Sequence, residues 1–128
     1  MYVEETRGVR ILAEPKYLIE ESEPNAGIFV FAYTITLANL GTEPVQLLSR
    51  HWIITDGGGI VREVKGDGVI GEQPVIAPGA SYQYSSFSPM PTPVGNMRGS
   101  YLMKVVSTGE QFQARIPLFF LRDLRQFN

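Results

Sequence analysis

The stretch IFVFAYTITL (Ile28–Leu37) constrains the fold more than any other part of the chain. Its residues alternate between two sets. One set is bulky and apolar: Phe29, Phe31, Tyr33, Ile35 and Leu37. The other is smaller: Val30, Ala32, Thr34 and Thr36. Successive side chains of a β-strand point to opposite faces of a sheet, so a period of two predicts a half-buried strand.

Other segments repeat this signal. VQLLSRHWIITD (Val45–Asp56) reads as a strand with a bulge near Leu47–Leu48, because its alternation is blurred there. Asp56–Gly59 predicts a hairpin turn before GIVREVKG, and Thr108-Gly109 predicts the last one. VRILAEPKYLIEES reads as one or two strands interrupted near Pro15. Further strands are expected at ASYQYSSF, GSYLMKVVS and EQFQARIPLFF.

This pattern predicts an all-β fold, an antiparallel β-sandwich of the immunoglobulin-like kind with about seven to nine strands. Trp52, the only tryptophan, is expected in the core between the sheets. The 128 residues are expected to form one domain with its main body at about 8–121 and a short tail at 122–128. A short helical stripe is conceivable only in the tail, LRDLRQFN.

Composition excludes several functions. A formal net charge of −2 gives no reason to expect nucleic acid or a membrane surface as partner. No cysteine is present, which rules out disulfides and thiolate chemistry. The first ten residues, MYVEETRGVR, lack the apolar core of a signal peptide, and no apolar stretch is long enough to span a bilayer. A cytoplasmic location is therefore expected.

Gly66, Gly68 and Gly71 have the G-x-G-x-x-G spacing of dinucleotide-binding loops. That motif needs a helix after the third glycine, and Pro74 and Pro78 prevent one. Two interpretations remain. The glycines shape a turn between strands, or their backbone forms a nest for a small anion such as pyrophosphate or a nucleotide phosphate, assisted by Arg62 and Lys65.

Catalytic and metal-binding residues are sparse. His51, the only histidine, would need Ser85, Ser86 or Ser88 as nucleophile and Asp56 as orienting group, but no nucleophile elbow is present. One histidine and no cysteine do not provide a transition-metal site, and the run Glu20, Glu21 and Glu23 reads as a solvated edge. We therefore predict no catalytic residues, no metal and no cofactor.

The segment FSPMPTPVGNM (Phe87–Met97) is the best candidate for a docking site. Its three prolines predict a stiff loop that cannot join a ladder of hydrogen bonds. Because loops run over surfaces, some of the apolar residues of this segment are expected to be exposed and to form a docking patch: Phe87, Met90, Val94 and Met97. Alternatively, the loop folds back and caps one end of the sandwich. Edge strands and the apolar tail Phe119–Phe127 are further routes to a partner or a homodimer.

The long stretch SRHWIITDGGGIVREVKGDGVIGEQPVIAPGASYQYSSFSPMPTPVGNMRGSYLM resembles the ApaG family. The resemblance is densest at His51–Asp56, Gly66–Gly71, Gln73-Pro74 and Pro78-Gly79, and it covers nearly the whole chain. It implies an immunoglobulin-like or fibronectin type III-like sandwich and a bacterial protein linked to cobalt tolerance and magnesium efflux. Related domains in eukaryotic F-box and polymerase-interacting proteins look like interaction modules.

Sequence and resemblance together predict a non-catalytic binding module for a protein partner whose identity is open. The alternative function is a small-anion binder that uses Arg62, Lys65, Gly66, Gly68 and Gly71. The two differ in where charge matters. The anion site needs Arg62 or Lys65 aimed at the glycine backbone, whereas the docking site needs exposed Phe87 and Met90.

Overall fold

The computed structural model describes residues 1–123 and shows nine β-strands. They are β1 (Tyr2–Thr6), β2 (Val9–Tyr17), β3 (Phe29–Asn39), β4 (Val45–Asp56), β5 (Val61–Asp67), β6 (Val75–Ile76), β7 (Ser81–Met90), β8 (Val94–Val105) and β9 (Gln111–Arg122). One antiparallel sheet has the order β1-β2-β3-β7. The second has the order β5-β4-β8-β9, and β6 pairs with the start of β4. The predicted antiparallel sandwich and its number of strands are confirmed.

Strand β3 holds the first sheet together, since it pairs with β2 on one side and β7 on the other. Its burial alternates without a break over all 11 residues. The larger set of the sequence pattern faces the core, so the half-buried strand is confirmed. A single turn of 3-10 helix, Pro24–Ala26, comes before this strand.

Strand β4 occupies the interior of the second sheet and carries Trp52 into the core. This residue is 2 % exposed, as predicted. Its ring packs edge-on against Tyr33 of the opposite sheet, with ring centroids 5.2 Å apart, and against Phe119 of β9 at 5.9 Å. The register of β4 against β8 shifts between Leu47 and Ser49, which confirms the bulge.

The two predicted hairpin turns are also confirmed. Asp56 accepts hydrogen bonds at its carboxylate from the N–H groups of Gly58 (2.8 Å) and Ile60 (3.1 Å), which fixes the turn between β4 and β5. Gly59 and Gly109 have φ of 84° and 74°, the left-handed conformation that glycine adopts without a steric penalty.

Two details differ from the sequence prediction. Strand β2 runs through Pro15 without interruption, because β1 pairs with β2 only as far as Ala13 and the missing N–H of Pro15 is not needed. Strands β1 and β6 were not predicted. The helical stripe considered for the tail falls mostly on residues 124–128, outside the described residues.

The two sheets are joined differently on their two sides. On one, called the closed side, β1 and β2 pack against β9, and Tyr2 stacks on Phe119 with ring centroids 6.2 Å apart. On the other, called the open side, the edge strands β5 and β7 face each other. Within residues 1–123, only Arg62 forms hydrogen bonds between those two strands.

Candidate functional site

The three glycines of the G-x-G-x-x-G spacing have separate backbone roles. Gly66 lies in β5, and a Cβ there would come within 2.8 Å of the Arg50 guanidinium. Gly68 has φ of +62°, and a Cβ would lie 2.2 Å from the Glu72 carbonyl oxygen. Gly71 and Ile70 both have positive φ and form a tight turn. The glycines therefore shape a turn after β5, the first of the two interpretations.

The hydrogen bonds of this turn do not suit an anion. The Gly68 N–H donates to a carbonyl of β4 (2.8 Å), and Val69 and Glu72 exchange N–H donors and carbonyl acceptors at 2.9 Å. The carbonyls of Asp67 and Gly68 accept from Nη1 of Arg50 at 3.1 and 2.9 Å. An anion nest needs converging N–H groups, whereas this turn presents carbonyl oxygens to a cation.

The two cations predicted to assist the glycines point elsewhere. Arg62 donates from Nη2 to Ser88 Oγ (3.3 Å) and to the Pro89 carbonyl (3.1 Å), both on β7. Lys65 is exposed and pairs in register with His51, two residues along β5 from Glu63. Side chains alternate along a strand, so Lys65 lies on the face opposite to Gly66. The anion alternative requires Arg62 or Lys65 to be aimed at the glycine backbone, and neither side chain has that direction.

The predicted docking patch is only partly at the surface. Phe87 is 66 % exposed, but Met90 is 3 % and Met97 0 % exposed, and Val94 is half-buried. The expectation that Met90 and Met97 are accessible is wrong. The segment is a hairpin instead of a loop. Phe87–Met90 ends β7 and Val94–Met97 begins β8, so alternation turns both methionines inward.

Pro89 lies in the ladder, contrary to the prediction for this segment. Its partner on β3 is Val30, whose N–H donates to Ser22 Oγ (2.9 Å) and whose carbonyl accepts from Leu18 (2.9 Å). Both polar groups of Val30 thus point away from β7. The Val30–Pro89 pair makes no ladder hydrogen bonds, and the absent N–H of proline removes none.

The same alternation leaves a free backbone edge on β7. Ser81, Gln83, Ser85 and Phe87 direct their N–H and C=O groups away from β3, as Pro89 does. In the described chain, the backbone groups of Gln83, Ser85 and Phe87 meet no hydrogen-bond partner there. We call this row the β7 edge.

The two edge strands of the open side differ in charge. Strand β7 has no charged residue, whereas β5 carries Arg62, Glu63, Lys65 and Asp67 within seven residues. Charged side chains, especially lysine, protect exposed edges against pairing with other chains. The β7 edge lacks that protection.

A cleft of about 200 Å³ lies between the sheets beside the β7 edge. Its lining includes Arg50, Arg62, Tyr33, Ser86 and Ser88. The ion pairs formed within residues 1–123 involve Arg7, Arg10, His51 and Arg115, so neither cleft arginine has a carboxylate within 4.0 Å in that range. We call this space the arginine cleft.

Tyr33 lines the arginine cleft, and Tyr84 and Tyr101 lie in the adjoining core. Ser86 lines the cleft beside Tyr33, and the Tyr84 and Tyr101 hydroxyls share a hydrogen bond in the core. Burial raises the pKa of all three tyrosines, and the nearby positive charge of Arg50 opposes that rise. The three tyrosines are therefore neutral at physiological pH and add no negative charge to balance the arginines.

The catalytic constellation considered from sequence does not come together. His51 lies on the outer face of the second sheet, with Nε2 2.9 Å from Glu63 Oε1. Ser85 lies on the outer face of the first sheet and shares a hydrogen bond with Thr34 Oγ1 at 2.7 Å. Ser86 and Ser88 point between the sheets. His51 is therefore separated from each candidate nucleophile by the sheet that carries it.

Metal ligands and membrane spans can be addressed for the described part of the chain. In residues 1–123, no three His, Asp or Glu side chains converge to hold a metal ion. Over the same range, no helix has the length and apolar character needed to cross a membrane.

Fold and site together define a class: a two-sheet β-sandwich with one closed side and one open side that carries unpaired arginines. The family model of the ApaG domain matches residues 19–105. The chain belongs to the ApaG domain family.

Curated relatives and a solved structure agree with this assignment. Protein ApaG of Maricaulis maris (strain MCS10) is 54% identical over 121 residues, and that of Methylorubrum populi (strain ATCC BAA-705 / NCIMB 13946 / BJ001) is 51% identical. Each alignment covers 94% of this chain and 92% of the relative. The crystal structure of an ApaA protein from Bordetella pertussis has a TM-score of 0.87 at 45% identity, over 89% of this chain and 92% of that one.

A more distant structure shares the fold alone. The C-terminal domain of wzt has a TM-score of 0.55 at 10% identity, covering 94% of this chain and 76% of that domain.

Sequence reasoning missed Arg50, the more buried of the two cleft arginines. A usable signal was present, because Arg50 precedes Trp52 by two residues and alternation places both on the inner face. An arginine on the core face of a strand needs acceptors. The glycine turn supplies two of them as carbonyls.

Proposed function

We propose that this chain is a binding module that takes up an extended segment of a partner protein as an additional strand along the β7 edge. The observation that supports this most is the row of backbone groups at Gln83, Ser85 and Phe87 that have no partner among residues 1–123. In strand addition, an extended peptide satisfies such groups and gains affinity from main-chain hydrogen bonds.

Phe87 gives the added strand an apolar contact. It projects from the outer face of β7 next to Ala32, and two thirds of its side chain is accessible. An aromatic side chain beside an open edge can cover the neighbouring side chain of the added strand, and such anchors dominate interface energies. Met90, Val94 and Met97 belong to the sandwich and are not part of the proposed surface.

The alternative anion site at Gly66–Gly71 has no geometric support, since Arg62 and Lys65 do not face the turn and its carbonyls are bonded to Arg50. The proposal includes no catalytic step and no cofactor. It retains the cytoplasmic location and the link to cobalt tolerance and magnesium efflux as expectations from the sequence and from the family resemblance.

A site-specific photo-crosslinker tests the proposal. Replacing Phe87 by a photoreactive phenylalanine should capture a partner segment in cells, and the same group at Leu118 is the control, because Leu118 is also exposed (46 %) but lies on β9. The crosslink at position 87 should be lost in a Ser85→Pro background. Proline removes the outward N–H and blocks pairing without breaking a backbone hydrogen bond to β3. The exposed side-chain hydrogen bond between Ser85 and Thr34 Oγ1 is lost as well, so Ser85→Ala, which loses only that bond, is the matched control.

Circular dichroism and thermal unfolding establish that the proline variant is folded, and Gln83→Pro serves as a second variant with the same orientation. Partner capture that persists in a folded Ser85→Pro protein would contradict strand addition. Equal capture at positions 87 and 118 would contradict a specific surface at β7.

A further inference from the structure

We infer that the segment added to β7 carries an acidic side chain, Asp or Glu, that enters the arginine cleft and binds Arg62 and Arg50. This inference rests on the proposed function and specifies its partner. It concerns the chemistry of the added strand, which strand addition by itself leaves open.

The position of the cleft follows from the alternation of side chains. A strand paired with β7 continues the first sheet, so every second side chain faces inward, on the face that carries Ser86 and Ser88. Both serines line the arginine cleft. The inward-facing side chains of the added strand therefore lie at the opening of the arginine cleft. Its outward-facing side chains lie on the same face as Phe87.

The arginines have donors left for a ligand. Arg62 uses Nη2 for its bonds to Ser88 and Pro89, and Arg50 uses Nη1 for its bonds to the glycine turn. Among the described residues, Nη2 of Arg50 and Nη1 and Nε of Arg62 donate to no group. A guanidinium carries five N–H donors in a fork that matches a carboxylate. Charge-assisted pairs of this kind are the stronger hydrogen bonds in proteins.

Charge also argues against a second copy of this chain as the occupant. Strand β7 is SYQYSSFSPM and has no acidic residue. Pairing β7 with the β7 of another copy would bring two arginine clefts together without any carboxylate from either strand. Like charges at an interface disfavour association, so the fitting occupant is an extended acidic segment of a different protein.

A display library of random 10-residue peptides, the length of β7, tests the inference. It is selected in parallel on the wild-type chain, on Ser85→Pro and on Arg50→Gln/Arg62→Gln. Peptides bound by the wild type but not by Ser85→Pro are the β7-dependent set. We expect that set to be enriched in Asp or Glu at alternate positions. We also expect the enrichment to disappear on the arginine variant.

The outcomes separate the two proposals. A β7-dependent set without acidic enrichment would overturn this inference and leave strand addition standing. Binders that are equally retained by Ser85→Pro, or no binders at all, would overturn both. Arg62→Gln alone is the second variant if the double variant fails to fold, because Arg62 is exposed and its bonds are replaceable by water.

Affinities of one selected peptide sharpen the result. Replacing its acidic residue by the matching amide should weaken binding to the wild type by about 10-fold or more, the range for a charge-assisted hydrogen bond. The same replacement should have little effect on binding to Arg62→Gln. A wild-type chain that dimerises in light scattering, with the dimer lost in Ser85→Pro, would instead identify a second copy as the occupant and contradict the inference.

Discussion

The closed and open sides of the sandwich treat their positive charges in opposite ways. On the closed side and its adjoining face, arginines meet carboxylates: Arg7 with Glu110 at 2.8 Å, Arg10 with Glu5 at 3.6 Å, and Arg115 with Glu4 at 3.6 Å. On the open side, Arg50 and Arg62 donate to carbonyls and one hydroxyl.

This difference suggests which features of the sandwich stabilise the fold and which are available to a ligand. The ion pairs of the closed side are exposed, and such pairs contribute little to the free energy of unfolding. Packing joins the sheets there, with Tyr2 of β1 against Phe119 of β9. Phe119 in turn contacts Tyr33 and Trp52 in the central core. Among residues 1–123, the strand edge of the open side has no pairing strand and its two arginines have no carboxylate partner, and a ligand can satisfy both. If the proposed function holds, we expect the closed side to contribute most of the stability and the open side to contribute recognition.

The largest expected effect compares one phenylalanine from each side. Phe119→Ala on the closed side should lower the free energy of unfolding by about 3–5 kcal/mol, because a fully buried ring is removed and a cavity remains. Phe87→Ala on the open side should change it by less than about 1 kcal/mol. Urea unfolding measures both. Similar losses for the two variants would show that the open side is packed as tightly as the closed side.

A smaller effect is expected in the glycine turn of the open side. Gly71→Ala should lower the free energy of unfolding by about 1–2 kcal/mol, because alanine is strained at a φ of +80°. No collision is added, since no atom lies within 4 Å of the new Cβ. Gly68→Ala should lower the free energy of unfolding by roughly 3 kcal/mol, because its Cβ collides with the Glu72 carbonyl in addition to the same backbone strain. Thermal unfolding compares the pair. Equal melting temperatures would contradict the close approach at Gly68.

The smallest effect concerns the charge pair at the tip of the closed side. The hydrogen bond and charge of Arg7 lower the pKa of Glu110. The pair therefore stabilises the folded state fully above the ordinary glutamate pKa. This stabilisation is lost as the pH falls through the lowered pKa of Glu110. In an NMR titration, Arg7→Gln should raise the Glu110 pKa toward its ordinary value. Arg62→Gln should leave it unchanged. An unaltered Glu110 pKa in Arg7→Gln would show that Arg7 is not paired with Glu110 in solution, and would contradict the difference in charge pairing between the two sides.

The sequence by itself determined most of the strands and two hairpin turns. The alternation in β3, the burial of Trp52, the bulge near Leu48 and the turn at Asp56–Gly59 are local signals, because the period of a strand and the φ preference of glycine act over a few residues. The ApaG resemblance, which covers nearly the whole chain, agrees with the family assignment that the comparisons establish.

Only the tertiary structure decided the site. Apolar residues between prolines look alike in a loop and in a hairpin, so the inward direction of Met90 and Met97 follows from the register of β7 against β3. The arginine cleft joins Arg50, Arg62 and Ser88, which lie on three different strands. The free edge of β7 depends on which strand ends the sheet. Pairing and register are long-range properties, and each is set by the packing of the whole sandwich around its core.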